Sequence, residues 1–130
     1  MTVLVDTSAL IDYLRRAETD AAIRLRALQL SQQLAVTDVV VMEILAGARD
    51  ERHLDQLTEF LGGFEHLSVA AIDDFVVAAA LFRTCRSGGD TLRHMNDCLI
   101  AAVAIRNDVP VLHNDRDFDV LARHTPLQVA

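Results

Sequence analysis

Lysine is absent from this sequence, in which all twelve basic residues are arginine. A phosphate-accepting receiver domain of similar length needs a lysine after its fifth strand, so this signalling class is excluded. The positive charge is also outweighed, since 19 acidic residues against 12 arginines give the chain a net charge of -7. That charge argues against broad, non-specific attraction to a polyanion. An acidic chain can still act on nucleic acid if its carboxylates gather where metal ions neutralise them.

Cysteines and long apolar runs are equally scarce. The two cysteines, Cys85 and Cys98, are far apart in the sequence and form no zinc-binding motif. No apolar run approaches the roughly 18 residues that a membrane-spanning helix needs. The first residues also carry no basic segment of the kind that opens a signal peptide. We therefore expect free, buried thiols, a cytoplasmic location and no membrane partner.

The chain is 130 residues long, and hydrophobic residues make up 52% of it. Those values predict one compact domain over residues 1–130 and exclude a disordered chain. Short apolar runs, several rich in valine, alternate with longer stretches of helical periodicity. Strands are predicted at 3–5, 34–37, 64–69 and 111–112, with a last edge strand at 127–129. Helices are predicted at 8–16, 21–32, 39–46, 50–60, 73–86, 94–105 and 118–124. This order predicts an α/β fold, with a central parallel sheet of about five short strands flanked by helices on both faces.

Two acidic residues follow predicted strands. Asp6 comes directly after the run Val3–Val5, and Asp115 comes shortly after Val111–Leu112. Ligands of open α/β sheets bind at the carboxyl ends of the strands, so both carboxylates are expected at that edge. Taken alone, Asp6 is better explained as a cap of the following helix, a frequent role for aspartate. The other acids of the chain reverse that preference.

Further acids lie in apolar helical sequence. Glu43 has apolar neighbours on both sides, and a carboxylate buried there needs an ion pair, hydrogen bonds or a metal ion. A salt bridge to an arginine explains Glu43 as well as a metal ion does. Asp97 opens an apolar helix, where the helix dipole alone would also favour an acid. The dipole fully explains Asp73 and Asp74, which lie in the first turn of another predicted helix.

If the acids at strand ends and helix starts converge, oxygen atoms dominate the site. Hard divalent cations prefer oxygen ligands, and Mg²⁺ is held by a few carboxylates while it keeps several water molecules. The sequence has no glycine-rich phosphate loop, no cysteine–histidine cluster and no serine–histidine–aspartate set. A phosphatase of the haloacid-dehalogenase type needs a second aspartate where this chain has Ser8. Of the five histidines, we expect only His113 to lie beside the acids.

Four short motifs surround these acids. They are Val5-Asp6-Thr7-Ser8-Ala9-Leu10, Glu43-Ile44-Leu45-Ala46-Gly47, Asp97-Cys98-Leu99-Ile100-Ala101-Ala102 and Asp115-Arg116-Asp117-Phe118. In this order and spacing, over essentially the whole chain, they resemble the PIN-domain family and its VapC-type toxin ribonucleases. The resemblance implies one or two Mg²⁺ or Mn²⁺ ions bound by the catalytic acids Asp6, Glu43, Asp97 and Asp115. It also implies Asp117 as a fifth ligand.

The resemblance also suggests roles for residues beside the acids. Thr7 or Ser8, together with Asn114, would position water or phosphate. Many family members have threonine or serine where this chain has His113, so the role of that histidine stays open, contact with substrate included. Three arginines are candidate contacts to RNA phosphates, although an ordinary solvated surface explains each of them equally well. They are Arg83, Arg86 and Arg93.

The implied function is that of a metal-dependent endoribonuclease, the toxin of a toxin–antitoxin module. It would cut tRNA or rRNA in single-stranded loops and leave 5′-phosphate and 3′-hydroxyl ends. Its partners would be the RNA, a cognate antitoxin protein and a second copy of the chain in a homodimer. Apolar side chains of the early helices would form the antitoxin groove, namely Leu25, Leu28, Leu30 and residues 39–45. The alternative is a catalytically silent PIN-like module that binds RNA or protein. Loss of an acid would favour that alternative, and here all four are present.

Overall fold

The centre of the fold is a parallel sheet. In residues 1–31 and 33–130, which the computed structural model describes, its strands are β1 (Thr2–Val5), β2 (Gln33–Val36), β3 (Glu65–His66) and β4 (Val111–Leu112). They lie in the order β3-β2-β1-β4, and Leu4 pairs with Ala35 on one side and with Val111 on the other. Successive side chains of β1 point to opposite faces, and those of residues 3–5 are all buried. Both faces of the sheet are therefore covered, as the sequence predicts.

Seven helices occur in the same described residues. They are α1 (Thr7–Leu14), α2 (Asp20–Leu28), α3 (Asp38–Ala46), α4 (Glu51–Leu61), α5 (Asp73–Ser87), α6 (Met95–Asn107) and α7 (Arg116–His124). Helix α6 is the most deeply placed, because every residue from Asp97 to Ala104 is buried. It packs against α5, and the free cysteines Cys85 and Cys98 are both buried. Among the described residues, no helix combines the length and the apolar character that a membrane crossing requires.

Side-chain caps fix where several helices begin. Asp6 accepts a hydrogen bond from the backbone N–H of Ser8 at the start of α1, and Asp115 accepts one from Asp117 at the start of α7. Each of these caps satisfies a backbone donor that the helix itself leaves unpaired. Asp6 and Asp115 are therefore helix caps as well as strand-end acids, and the two explanations of Asp6 hold together.

The α/β architecture is confirmed, with differences at several element ends. The predicted strand 64–69 shortens to β3, because the backbone N–H of Val69 donates to the carboxylate of Asp38 instead of a neighbouring strand. The predicted edge strand 127–129 is reduced to an isolated bridge between Val129 and Val111. Helix α1 ends at Leu14, and the chain then turns through a left-handed Arg16. The helix predicted at 21–32 ends at Leu28 as α2, and residue 32 lies outside the described residues.

Most apolar side chains assigned to an antitoxin groove belong to the core instead. Leu25, Val39, Val40 and Ile44 are buried, so the expectation that they form a surplus apolar surface is wrong. They pack within the same core as the strands, where burying a large aliphatic side chain contributes about 1.5–3 kcal/mol. Of the residues named for that groove, Leu30 and Met42 are the large apolar side chains that remain exposed.

Candidate active site

A cavity of about 510 Å³ opens beside the carboxyl ends of β1 and β4. Asp6, Glu43, Asp97 and Asp115 all lie on its wall, although they belong to four separate parts of the chain. The other lining residues are Thr7, Ser8, Ile11, Arg93, His94, Met95 and Asn96. The fold therefore brings the four predicted acids around one space, whereas their role as metal ligands stays a prediction.

Asp6 is held rigidly at the end of β1. One oxygen of its carboxylate, Oδ2, accepts hydrogen bonds from the backbone N–H of Ser8 at 3.0 Å and from Ser8 Oγ at 2.6 Å. Ser8 Oγ in turn accepts from the backbone N–H of Asn114 at 2.8 Å, which ties β1 to the segment after β4. Burial raises the pKa of Asp6, and the hydrogen bonds from Ser8 oppose that rise. Ser8 thus acts on the orientation of the acid beside it.

Glu43 lies half-buried on α3 and faces Thr7. Thr7 Oγ1 donates a hydrogen bond of 2.9 Å to Glu43 Oε1. Within the described residues, Glu43 forms no salt bridge with an arginine, which removes the alternative explanation of this half-buried acid. The hydroxyl of Thr7 leaves part of the carboxylate available to the cavity.

Asp97, in the first turn of α6, is a buried acid of the site with a strongly raised pKa. Its side chain is 10% exposed, and its Oδ2 atom has no hydrogen-bond partner in the described part of the chain. Burial raises its pKa to about 9, assisted by the negative charges of Asp6 and Asp115 and by contact with Asp117. A buried oxygen without a donor is rare, and a bound cation would satisfy it. The oxygen-rich donor set therefore fits a hard divalent cation.

Asp115 and Asp117 are connected to the loop between α5 and α6. Arg93 Nη2 donates to Asp115 Oδ1 at 3.0 Å, and the Asp115 side chain remains 18% exposed. Asp117 is fully buried, and its Oδ2 accepts hydrogen bonds from the backbone N–H groups of Arg93 at 2.9 Å and His94 at 3.1 Å. Asp117 therefore supports the loop that forms one wall of the cavity. Its assignment as a fifth metal ligand stays a prediction.

His94 is a site residue that the sequence interpretation missed. Its Nδ1 atom lies 3.7 Å from Asp97, 3.9 Å from Asp115 and 3.7 Å from Asp117. One side-chain atom from each of these four residues falls within 4.8 Å of the others. The expectation that only His113 lies beside the acids is wrong for this reason. A histidine three residues before the acid at a helix start was the available signal, because that spacing places both on one side of the first turn.

His113 has a packing role instead of a place in the cavity. Its ring packs against Phe118 with 5.2 Å between centroids, and its Nδ1 accepts a hydrogen bond from the backbone N–H of Asp115. The side chain is only 11% exposed. His113 therefore helps to position the segment that carries Asp115, and it does not line the cavity.

The remaining predicted residues fall into two groups. Thr7, Ser8 and Arg93 line the cavity. Asn114 lies outside the lining set, and its side-chain amide donates to Asp12 Oδ2 at 2.7 Å. Arg83 and Arg86 lie on α5, also outside the lining set, and the Arg86 guanidinium sits 5.8 Å from the centre of the Phe82 ring. Their role in phosphate binding stays a prediction without support from the cavity.

Comparison with known proteins places this arrangement in a family. The family model described as PIN domain matches residues 3–124. The chain belongs to the PIN-domain family. Within that family, a VapC ribonuclease of Mycobacterium bovis is 42% identical over 130 residues, which cover 98% of this chain and 97% of that protein. Ribonuclease VapC11 of Mycobacterium tuberculosis matches with the same identity and coverage. The predicted family and its VapC-type branch are thereby confirmed.

A solved structure shows the same PIN fold. The structure of VapBC2 from Rickettsia felis, bound to a DNA fragment from its promoter, matches with a TM-score of 0.79. The match covers 100% of this chain and 98% of that chain at 19% sequence identity. At such low identity the match shows the fold alone, and the shared fold includes every element described above.

Proposed function

We propose that this PIN-domain chain is a divalent-metal-dependent endoribonuclease and the toxin of a toxin–antitoxin module. The observation that carries the proposal is the meeting of four carboxylates, from four parts of the fold, around one cavity. The names of the relatives support it, since proteins that are 42% identical over nearly the whole chain are called ribonucleases.

Asp6, Glu43, Asp97 and Asp115 would hold one or two Mg²⁺ or Mn²⁺ ions. Their oxygen atoms are the ligand type that both ions accept, and the unpaired Asp97 Oδ2 supports a cation nearby. A bound ion supplies Lewis acidity toward the phosphodiester and lowers the pKa of a water molecule for in-line attack. In-line attack by water that breaks the bond between phosphorus and the 3′-oxygen would leave a 5′-phosphate on one product and, after protonation of the departing oxygen, a 3′-hydroxyl on the other.

The chain's own residues would orient the acids and receive the RNA. Ser8 and Thr7 each donate to an acid, which fixes the direction of the Asp6 and Glu43 carboxylates. Arg93 stands at the cavity wall with a side chain that is 54% exposed, within reach of an incoming phosphate. Single-stranded loops, such as those of tRNA or rRNA, are the RNA segments whose backbone can enter such a cavity.

Cleavage of cellular RNA by the purified chain tests the proposal. Wild type should cleave with Mg²⁺ or Mn²⁺ and stop in excess EDTA, and end mapping should give 5′-phosphates. Asp6→Asn should lose about 10³-fold or more in rate, because several kcal/mol of charge stabilisation disappears. The exposed Asp55 on α4 gives a matched control, since Asp55→Asn makes the same charge change outside the cavity. An active Asp6→Asn variant, or cleavage that EDTA leaves unchanged, would refute the assignment. RNA binding without cleavage would favour the silent binding module.

An antitoxin protein is the proposed partner. Support comes from the VapC-type relatives and from the matched Rickettsia felis structure, which is that of the VapBC2 complex. Co-expression with the product of the adjacent reading frame should yield a complex that co-purifies and does not cleave RNA. Separate elution of the two proteins would count against this partner.

A homodimer is proposed from the exposed apolar side chains around the start of α5. Ile72, Phe75 and Val76 are 68%, 49% and 62% exposed, and Met42 of α3 shares a groove with Phe75. A second copy of the chain would remove this surface from water. Light scattering at micromolar concentration should give the mass of two chains, and a monomer at every concentration would contradict the proposal.

A further inference from the structure

We propose that His94 contributes a nitrogen ligand to the cation held by this site, so that the site favours first-row transition-metal ions over Mg²⁺. The inference rests on the proposed function and concerns which ion the cavity selects. A purely carboxylate site would offer oxygen alone. His94 changes the donor set because its ring nitrogen faces the same acids.

The distances around His94 Nδ1 suit a shared ion better than hydrogen bonds. The ring nitrogen lies 3.7 Å from Asp97 Oδ2 and 3.9 Å from Asp115 Oδ2. A hydrogen bond between such atoms spans about 2.7–3.2 Å. Two ligand atoms that each lie about 2.0–2.2 Å from one ion are separated by about 3–4.3 Å, depending on the angle between the bonds. The observed separations fall inside that second interval.

The oxygen that faces His94 is the one that lacks a partner. Asp97 Oδ2 is buried and accepts no hydrogen bond from the described residues, and its side chain is nine-tenths buried. Its nearest basic atom is the ring nitrogen of His94, too distant to donate to it. An unsatisfied oxygen and an imidazole nitrogen on opposite sides of a gap of this width indicate a space for a cation.

Asp117 positions His94 through the backbone N–H of that residue. Its Oδ2 uses both lone pairs on the backbone N–H groups of Arg93 and His94, and the side chain is fully enclosed. The same loop is fastened nearer α5, where Asp90 accepts hydrogen bonds from His124 and Arg123 of α7. Buried groups that orient a metal-binding histidine raise the affinity of a site by about 10–100-fold. We therefore assign Asp117 as a positioning residue and His94 as the additional ligand.

The nature of the donor determines which ions gain. Mg²⁺ favours oxygen ligands and keeps several waters, so it gains little from an imidazole. For nitrogen-containing sites, affinity rises from Mn²⁺ through Co²⁺ to Ni²⁺. A cavity that includes His94 should therefore bind Co²⁺ and Mn²⁺ more tightly than Mg²⁺, and removal of the imidazole should reduce that preference.

Calorimetric titration of the full chain with each ion alone, in the absence of RNA, measures this preference. In His94→Ala, Mn²⁺ affinity should fall about 10-fold and Co²⁺ affinity further, while Mg²⁺ affinity changes less than about 2-fold. His94 is exposed, with 61% of its side chain accessible, so its truncation leaves the core intact. His53→Ala is the matched control, because His53 lies on α4 outside the cavity and its variant should bind all three ions as wild type does.

Electron spin-echo spectroscopy of bound Mn²⁺ gives a second readout that does not depend on activity. The wild type should show ¹⁴N modulation from a directly bound imidazole, and His94→Ala should lose it. Equal Mn²⁺ affinity and equal modulation in the two proteins would overturn the inference, as would a uniform loss of affinity for all three ions. Weaker RNA binding with unchanged ion affinities would assign His94 to the substrate and overturn it too. EDTA-sensitive cleavage by wild type would then leave the proposed function standing, whereas EDTA-resistant cleavage would refute the function itself.

Discussion

Asp74 and Asp97 occupy matching positions and have opposite environments. Each lies in the first turn of a long apolar helix, α5 or α6, and each is buried. Burial would raise the pKa of Asp74, but three hydrogen bonds from Arg106 and one from the backbone N–H of Ala70 outweigh it and lower that pKa. Among the described residues, Asp97 has acids as neighbours and forms no ion pair with an arginine, and burial together with those charges raises its pKa to about 9.

This contrast separates a structural acid from a functional one. Both residues benefit from the dipole at the start of a helix, so that benefit cannot distinguish them. The difference is the counter-ion: Asp74 has a fixed one within the chain, whereas Asp97 is left to obtain one from outside. A buried carboxylate that carries no partner of its own is costly to the fold, and that cost is what indicates a binding site.

The largest effect is expected from removing the counter-ion of Asp74. Arg106→Met leaves that carboxylate buried without a cation and the backbone carbonyl of Ser68 without its donor. Unpairing a buried ion pair costs about 3–5 kcal/mol, and the partial exposure of Arg106 reduces the expected loss to about 2–3 kcal/mol. Thermal melts should show a fall of about 10 °C.

A second arginine pair supplies the control for that melt. Arg123 contacts Asp90, and both side chains are substantially exposed, so Arg123→Met should cost less than about 1 kcal/mol. If Arg106→Met and Arg123→Met had the same melting temperature, the burial of Asp74 would not depend on its counter-ion. The contrast with Asp97 would then lose its physical basis.

A smaller effect of opposite sign is expected at Asp97. With EDTA present near pH 7, Asp97→Asn should stabilise the chain by about 1 kcal/mol, as site-neutralising substitutions commonly do. The variant retains the shape of the side chain and removes a group that has to take up a proton on folding. Added Mg²⁺ or Mn²⁺ should stabilise wild type through mass action and the variant much less. If Asp97 served only to interact with the helix dipole, the variant would be less stable by roughly 0.3–1 kcal/mol and would melt at a lower temperature than wild type.

Asp97 and Asp74 should make the stability of the fold depend on pH in opposite directions. The pKa of Asp97 is raised in the folded chain. Its contribution to the stability of the fold is therefore complete below its pKa in the unfolded chain, near 3.8, and is lost as the pH rises toward its folded pKa of about 9. The advantage of Asp97→Asn should therefore grow from pH 5 to pH 8. Asp74 has a lowered pKa, so its contribution is present above about 3.8 and is lost as the pH falls below that value. Across pH 3–9 in EDTA, the difference in melting temperature between wild type and Asp97→Asn measures the dependence that comes from Asp97, and a constant difference would contradict it. The fall in the melting temperature of both proteins below about pH 3.8 includes the contribution of Asp74.

Local sequence was sufficient for most elements of the fold and for the four acids. Val3–Val5 followed by Asp6 predicts a buried strand with an acid at its end, because alternation, burial and cap preference all act within a few residues. The valine-rich start of α3 has high strand propensity, and the predicted helix is nevertheless confirmed. It ends before Gly47 as predicted, whereas it begins at Asp38, one residue before the predicted start.

The features that sequence did not reveal depend on contacts between distant residues. Asp74 and Arg106 are 32 positions apart, so the first-turn position of Asp74 was visible and its partner was not. The shortening of β3 follows from a bond between Val69 and Asp38, 31 positions apart. His94 enters the cavity because Asp117, 23 positions later, holds its backbone. None of these pairings leaves a periodic or compositional trace.

The parallel pairing of β1 with β4 has a consequence for the time at which the chain becomes active. Asp6 follows β1 and Asp115 follows β4, and the segments after these two strands meet through the bond between Ser8 and Asn114, which are 106 positions apart. A prematurely terminated chain has neither β4 beside β1 nor the segment that holds the wall of the cavity. A chain that stops before β4 therefore lacks the assembled site, and the cavity forms only after both strands have been made.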